Sequence, residues 1–410
     1  MNLVNNIFLR YSHNLLKETD LSRKGPMPYQ HKWFRHLIEN GAESAFGIEH
    51  GFHNIKTIKN KIGESKLMLV VKADGYGHGA VAVAREFESE ADYFAVAEMR
   101  EALELRRGGV KKPLLILGYT PPSQHRMAIE NDVTLTVFTY ENAHALSQTA
   151  QALGKNAAVH FAVDTGMGRI GFRADSGGIE EALASARLPG IFVEGIFSHF
   201  ATADSDDTEF ADGQRRDFEA FVSAMEAEGV HIPIKHMNNS AGILAFDKQF
   251  DMVRAGILTY GLYPSEGVKA RFEKEYPLRP AMELVTYVSH VKELDAGCPI
   301  SYGSTYVTER KTLVATVPVG YADGYPRALS GRGAVLVRGV RCPILGRVCM
   351  DQMMVDVSCV PNVKVEDRVI LVGRDGEDFI SAEEVADAAY SFNYEFICGI
   401  AKRVPRVHVK

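Results

Sequence analysis

The run Val70-Val71-Lys72-Ala73-Asp74-Gly75-Tyr76-Gly77-His78-Gly79 brings a lysine to the carboxyl end of an apolar stretch and follows it with a glycine-rich turn. A lysine that is partly desolvated has a lowered pKa and is the usual nucleophile for Schiff-base chemistry with carbonyl compounds. A surface lysine beside a tight turn has the same local pattern. Two later loops, His236-Met237-Asn238-Asn239-Ser240-Ala241-Gly242 and Val253-Arg254-Ala255-Gly256-Ile257, combine a hydroxyl with backbone N–H groups at a helix start. Those donors suit a phosphate dianion. Ser/Gly loops are common, so the loops carry weight only if the fold brings them to the lysine.

The elements that must do so show a clear rhythm. Short apolar or β-branched runs alternate with helical stretches: Leu67 to Val71, Tyr93 to Ala97, Leu114 to Leu117, Leu135 to Phe138, Val159 to Val163, Val193 to Phe197, Ile234 to Met237 and Met252 to Val253. About eight strands separated by helices make an α/β chain with the repeat of a (β/α)8 TIM-type barrel. A doubly wound open sheet shares this rhythm, since periodicity carries no information on closure. In a barrel, chemistry sits at the carboxyl ends of the strands and phosphate binds after strands seven and eight. A lysine at strand one and phosphate donors at strands seven and eight together point to a phosphorylated aldehyde cofactor, pyridoxal 5'-phosphate.

After about Pro277 the rhythm changes. Met282 to Val291, Thr312 to Val317, Ala334 to Val337 and Val369 to Leu371 follow one another with Gly/Pro/Asp turns and little helix between, which predicts a mostly antiparallel β domain. The chain thus divides into an extension of no assigned role over 1–44, with short helices around Leu15 and Phe34, a barrel over 45–275 and a β domain over 276–410.

Composition narrows the partners. Forty-six basic side chains are interspersed among 52 acidic ones for a net charge of −6 over 410 residues, with no basic stripe for nucleic acid or an anionic membrane. No run approaches the roughly 18 apolar residues of a membrane span, and the apolar Ile7-Phe8-Leu9 is broken by Arg10 as no secretory signal would be. Five cysteines, all from Cys298 onward and without CxxC spacing, make neither a disulfide framework nor a metal site. A small-molecule enzyme of the reducing cytoplasm is expected.

Beyond these readings, VVKADGYGHG (70–79), VDTGMGRIGF (163–172), FSHFATAD (197–204), VRAGILTYGLYPS (253–265), ISYGSTYV (300–307), VGYADGY (319–325), GRVCMDQMMVDV (346–357) and NYEFICGIAKRVPR (393–406) resemble, in order, the motifs of the alanine racemases, pyridoxal-phosphate enzymes of fold type III. The resemblance covers about residues 65–410. It implies that Lys72 forms the internal Schiff base and acts on one face of the substrate Cα, with Tyr302 of a partner subunit on the other. Inversion needs a base on each face. The implied assembly is a homodimer with composite sites, making D-alanine for peptidoglycan.

The same resemblance assigns phosphate to Tyr76, Ser240, the backbone of Gly256 and Ile257, and Tyr394. It sets Arg254 opposite the pyridine nitrogen, His199 near the second base, and Arg169 near the cofactor's phenolic oxygen and the substrate carboxylate. Met350 and Asp351 fall at the partner's substrate entrance and Tyr321 in the access corridor. A free tyrosine titrates near 10, so positive charge from His199 and Arg254 would help Tyr302 act as a base.

Two departures stand out. Many relatives carry a carbamylated lysine seven residues before the arginine of the MGR motif, where this chain has Ala162. The family's opening strand is weakly recognisable in Ser44 to Ile55, with Asn54 retained. Competing readings are a racemase of serine or basic amino acids, a fold-type III decarboxylase and a non-catalytic cofactor carrier. The decarboxylases place an acid where Arg254 stands, and the carriers lack the β domain.

Overall fold

The structure of the chain, a computed structural model, describes residues 48–409. The extension expected over 1–44, with its short helices around Leu15 and Phe34, lies outside the described residues.

Eight strands are each hydrogen-bonded in parallel to two neighbours: β1 (Lys66–Val70), β2 (Tyr93–Val96), β3 (Leu114–Ile116), β4 (Val133–Val137), β5 (Ala157–Asp164), β6 (Ile191–Phe197), β7 (Ile234–His236) and β8 (Met252–Ala255). Pairing of β4 with β5 at one point and of β8 with β1 at another closes the ring, so the chain folds as a barrel and not as an open sheet. Strands of a closed parallel sheet are covered on both faces and read as continuous apolar runs. β2, β3, β4 and β8 are buried along their whole lengths.

The helices alternate with these strands. They are α1 (Ile48–Ile62), α2 (Ala80–Glu86), α3 (Met99–Arg107), α4 (Pro122–Glu130), α5 (Tyr140–Leu153), α6 (Ser176–Ala186), α7 (Glu209–Ala227), α8 (Ser240–Ala245) and α9 (Glu266–Phe272). Side-chain N-caps start four of them: Thr139, Asp175, Asn239 and Ser265 each accept a backbone N–H from the first turn. Where an opening strand was expected in Ser44 to Ile55, the chain forms α1 from Ile48 onward. Its Ile55, Ile58 and Ile62, at helical spacing, are buried. Asn54 is fully buried beside them, giving its amide to the carbonyls of Thr259 and Arg279 (3.3 and 2.9 Å) and accepting from Arg279 N–H (2.8 Å). One side chain therefore fixes the first helix to the segment that leaves the barrel.

The rest of the chain is antiparallel. β9 (Leu284–Tyr287), β10 (His290–Leu294), β11 (Thr312–Val317), β12 (Ala334–Val337), β13 (Val340–Leu345), β14 (Met353–Asp356) and β15 (Arg368–Asp375) pair in the order β9-β15-β12-β13-β14-β11-β10, with β16 (Asp378–Ile380) on β15. The single strand expected over Met282 to Val291 is two strands. At Val288 and Ser289 the backbone leaves β15 and crosses to β11, bonding Asp367 O and then Thr316 O, so β9 and β10 end at opposite edges of the sheet. Helices α10 (Ala382–Ala388) and α11 (Asn393–Gly399) follow. The chain then returns to the barrel, where Arg406 donates to Gly77 O (2.8 Å) and His408 lies 2.8 Å from His78 O.

Candidate active site

Lys72 follows the buried end of β1 after the single residue Val71, at the mouth of the barrel. The next four residues, Ala73, Asp74, Gly75 and Tyr76, all have φ between 52° and 62°. Three of them are not glycine, and left-handed backbone costs roughly 1–2 kcal/mol for each such residue. The turn persists because its surroundings over-determine it. Glu101 of α3 accepts Ala73 N–H (2.7 Å), Asp74 accepts Ala80 N–H (3.0 Å), and a Cβ on Gly77 would stand 2.1 Å from Ile397 O. Burial pushes the Lys72 ammonium below the ordinary lysine value, and Arg169 and Arg254 push the same way, against Glu101 and Cys398. A lysine so placed spends more of its time as the neutral amine, the nucleophilic and basic form.

Beside it four groups converge on one small space. Ser240 opens α8, with its hydroxyl accepting Gly256 N–H at 3.1 Å. A Cβ on Gly256 would lie 2.8 Å from the Tyr76 hydroxyl and 3.7 Å from Ser240 Oγ. The Tyr394 ring is 6.1 Å from that of Tyr76, and Ile257 begins the short 3-10 helix Ile257–Tyr260. Two phenols, a hydroxyl and backbone at a helical start form a neutral donor cradle of the kind a phosphate dianion fills. Burial holds both phenols well above the ordinary tyrosine value, so they remain protonated donors.

Arg254, on β8, is buried and makes five contacts: Nη1 to His236 Nδ1 (2.8 Å) and O (3.2 Å), and Nη2 to Ser198 O (2.8 Å), Met237 O (2.8 Å) and His199 Nδ1 (3.2 Å). None is a carboxylate. Burial, with Arg169 nearby, brings its guanidinium down to about 9. His199 is held well below the ordinary histidine value by burial and by Arg254, Arg169 and Lys72. Arg169 is exposed in the turn after β5, between Gly168 and Gly171 at positive φ. Asp164 shapes that turn, accepting Gly166 and Gly168 N–H (3.0 and 2.9 Å), and Ala162 is buried in β5 just before it. The mouth therefore sets the charges of Arg169 and Arg254 beside the Lys72 amine, an arrangement suited to a carboxylate and a phosphorylated ring.

The β-domain residues form a separate surface. Tyr302 is 71% exposed, Met350 52% and Tyr321 43%. Their loops interlock: Ser301 Oγ donates to Arg347 O (2.7 Å), Tyr321 N–H to Cys349 O (3.1 Å) and Ala322 N–H to Met350 O (3.0 Å). Asp351 is tied to Arg403 (2.6 Å), which also grips Asp323 (2.7 Å). No described contact joins Tyr302 to Lys72 within the chain.

Sequence reading overlooks Gln214, on α7. It is buried, donates to Thr165 Oγ1 (3.4 Å) and His199 O (3.1 Å), and accepts Ala201 N–H (2.9 Å). It thereby ties the Arg169 turn to the His199 loop. Its place in a polar helix gives no signal, because only the fold shows which face is covered. Arg406 and Glu101, which brace the lysine turn, are equally silent as isolated charges. Among the described residues no cluster of His, Cys, Asp or Glu is placed to hold a metal ion, and no helix is long and apolar enough to cross a membrane.

Comparison with known proteins agrees with this arrangement. The alanine racemase N-terminal domain family matches residues 49–264 and the alanine racemase C-terminal domain family residues 281–408. The chain is 48% identical over 360 residues to an alanine racemase of Desulforamulus reducens, covering 87% of this chain and 96% of that one. It is 45% identical to an alanine racemase of Clostridium perfringens, with 87% and 92% covered. Among solved structures, an alanine racemase of Clostridium difficile superposes with TM-score 0.84 at 40% identity, over 89% of this chain and 96% of that one. The Bacillus anthracis alanine racemase with bound L-Ala-P gives TM-score 0.84 at 39% identity, over 89% and 94%. With both halves matched in order, the chain belongs to the alanine racemase family.

Proposed function

We propose that this isomerase interconverts L- and D-alanine with pyridoxal 5'-phosphate in a homodimer, by a two-base mechanism, in the cytoplasm and for the supply of D-alanine to peptidoglycan. The observation that carries the reading is the joint placement of a partly buried Lys72 with a depressed pKa and a neutral donor cradle at one barrel mouth. The lining fits the cofactor: two protonated phenols and a hydroxyl gather at Gly256, where a Cβ would stand 2.8 Å from the Tyr76 hydroxyl and 3.7 Å from Ser240 Oγ. Bound there, the cofactor supplies an electron sink that acidifies the Cα–H of an attached amino acid.

The chain's own groups do the rest. Tyr76, Ser240, the backbone of Gly256 and Ile257, and Tyr394 hold the phosphate. Arg254 faces the ring nitrogen with a donor-only guanidinium, which keeps its protons and leaves that nitrogen a weaker electron acceptor than an acid partner would. Arg169 orients the substrate carboxylate. Lys72 Nζ takes or returns the proton on one face, and the phenol oxygen of Tyr302 does so on the other. The exposure of Tyr302, with no described contact to Lys72 in its own chain, supports its service to a second copy, with Met350, Asp351 and Tyr321 around the entrance. Five free cysteines suit a reducing compartment.

The test is incubation of the purified protein and pyridoxal phosphate with L-alanine in deuterated water. D-alanine carrying deuterium at Cα is expected. Loss of the carboxylate as carbon dioxide, or no exchange at all, would overturn the proposal.

A further inference from the structure

A line of polar side chains crosses the barrel interior beneath Arg254, where barrels ordinarily stack branched apolar residues. His236 Nε2 on β7 lies 2.7 Å from His160 Nδ1 on β5, although β6 runs between them. His160 Nε2 lies 3.4 Å from the Glu194 carboxylate on β6, within ion-pair reach but without hydrogen-bond alignment. Glu194 also accepts the Thr134 hydroxyl of β4 (3.1 Å) and bonds Tyr93 of β2, on the far side of the ring. Both histidines are completely buried. The fold makes room for them: a Cβ on Gly195 would stand 2.6 Å from the His160 ring, and the β5–β6 register slips between Val159 and His160.

Donor accounting fixes the direction of this line. A guanidinium has no acceptor, so His236 Nδ1, 2.8 Å from Arg254 Nη1, must offer its lone pair. His236 is then neutral with its hydrogen on Nε2, which it donates to His160 Nδ1. His160 in turn carries its hydrogen on Nε2, on the side of Glu194. We infer that Arg254, His236 and His160 form a one-way hydrogen-bond chain through the barrel, closed by the electrostatic contact of His160 with Glu194, that keeps both imidazoles neutral and places the counter-charge of Arg254 on Glu194. Glu194 is thus a positioning residue for the ring-facing arginine, acting through two histidines.

The electrostatics agree. Burial, with Arg254 and its imidazole neighbour, holds His236 well below the ordinary value, and burial lowers His160 against the opposing pull of Glu194. Burial pushes Glu194 up, but its contacts with His160, Tyr93 and Thr134 outweigh that, and it stays ionised. Arg254 has no carboxylate among its own contacts, so the remote one balances it. The wiring rests on the fold alone. Its effect on turnover rests on the cofactor placement proposed above.

Histidine-selective 15N NMR of the cofactor-loaded wild-type protein reads the chain directly, the pair being identified by coupling across their shared hydrogen bond. Both rings are expected as neutral Nε2–H tautomers. An Nδ1–H or cationic form of either, or no coupling, overturns the wiring. Glu194→Gln keeps an acceptor oxygen and removes the charge. It is expected to lower kcat roughly 2- to 30-fold with KM for alanine held. An unchanged kcat removes Glu194 from the chain's function, and if the variant does not fold, the wild-type spectra decide. Should Lys72→Ala leave racemisation intact, the cofactor placement fails while the histidine signals stand.

Discussion

The Cβ that Gly256 lacks would stand 2.8 Å from the hydroxyl of Tyr76. The two residues face each other across the proposed phosphate cradle, with no room between them for a side chain. A methyl group there must displace the phenol or the ligand, at about 1–3 kcal/mol. Gly256→Ala is expected to weaken pyridoxal phosphate binding about tenfold or more and to lower the melting temperature of the unloaded protein by a few degrees. Titration of the cofactor's visible absorbance measures it.

Lys72→Ala is expected to abolish both the visible band of bound cofactor and racemisation, and Tyr302→Phe to abolish racemisation in both directions while Lys72 still exchanges the Cα hydrogen of one enantiomer, because each inversion needs a base on one face and a proton donor on the other. Mixing the two inactive variants then separates a shared site from a private one. Random exchange of subunits gives mixed dimers in which one of two sites is intact, restoring about a quarter of wild-type activity. No recovery after exchange would show that Tyr302 does not serve a second copy.

Acid should loosen the lysine turn through His78. Its Nδ1 donates to Gly75 O and Tyr76 O (3.1 and 2.9 Å), its ring stacks on Tyr260 at 4.5 Å, and its buried Nε2 has no hydrogen-bond partner. Burial, with His408 and Arg406 adding to it, brings His78 from 6.5 to about 4. The folded state binds fewer protons than the unfolded one between those values, so stability rises with pH across that window and falls on acidification. The loss reaches as much as about 3 kcal/mol. Melting curves from neutral pH down to 4 should show it, and His78→Gln should flatten the slope.

Gln214→Ala removes the bridge between the Arg169 turn and the His199 loop. It leaves Ala201 N–H and His199 O without their buried partner, at about 1–3 kcal/mol. Loss of kcat/KM for alanine larger than the loss on simple heating of the wild type is expected, because both loops carry site groups. Equal kcat/KM in variant and wild type would reduce Gln214 to a packing role.

What can be read in advance follows from how each element meets water. The barrel strands are legible because they are covered on both faces, and each apolar run overlaps an observed strand. The β domain is harder: β10 is an edge strand with mostly exposed residues, and β13 mixes buried Cys342 with outward Arg341 and Pro343. Their pairing depends on partners distant in sequence. Of the site, Lys72, Ser240, Gly256 and Arg254 are legible because glycine and hydroxyl loops punctuate the strand ends. His160 and Glu194 are not, since nothing local tells that β5 and β6 point them inward until the ring closes. Ser44 to Ile55 misleads because the isoleucines that mark α1 begin only at its end.

The amide of Asn54 has one more consequence, for how the protein is made. Its bond to Arg279 joins positions 225 residues apart. Closing a loop of that length costs about 5 kcal/mol in chain entropy, before any constant for its ends. On a ribosome, the first helix of the barrel stays unclasped until Arg279 has emerged, after every barrel strand has been synthesised. The seal on the barrel is therefore made by the stretch that leads into the β domain, and chains cut short of it lack the clasp.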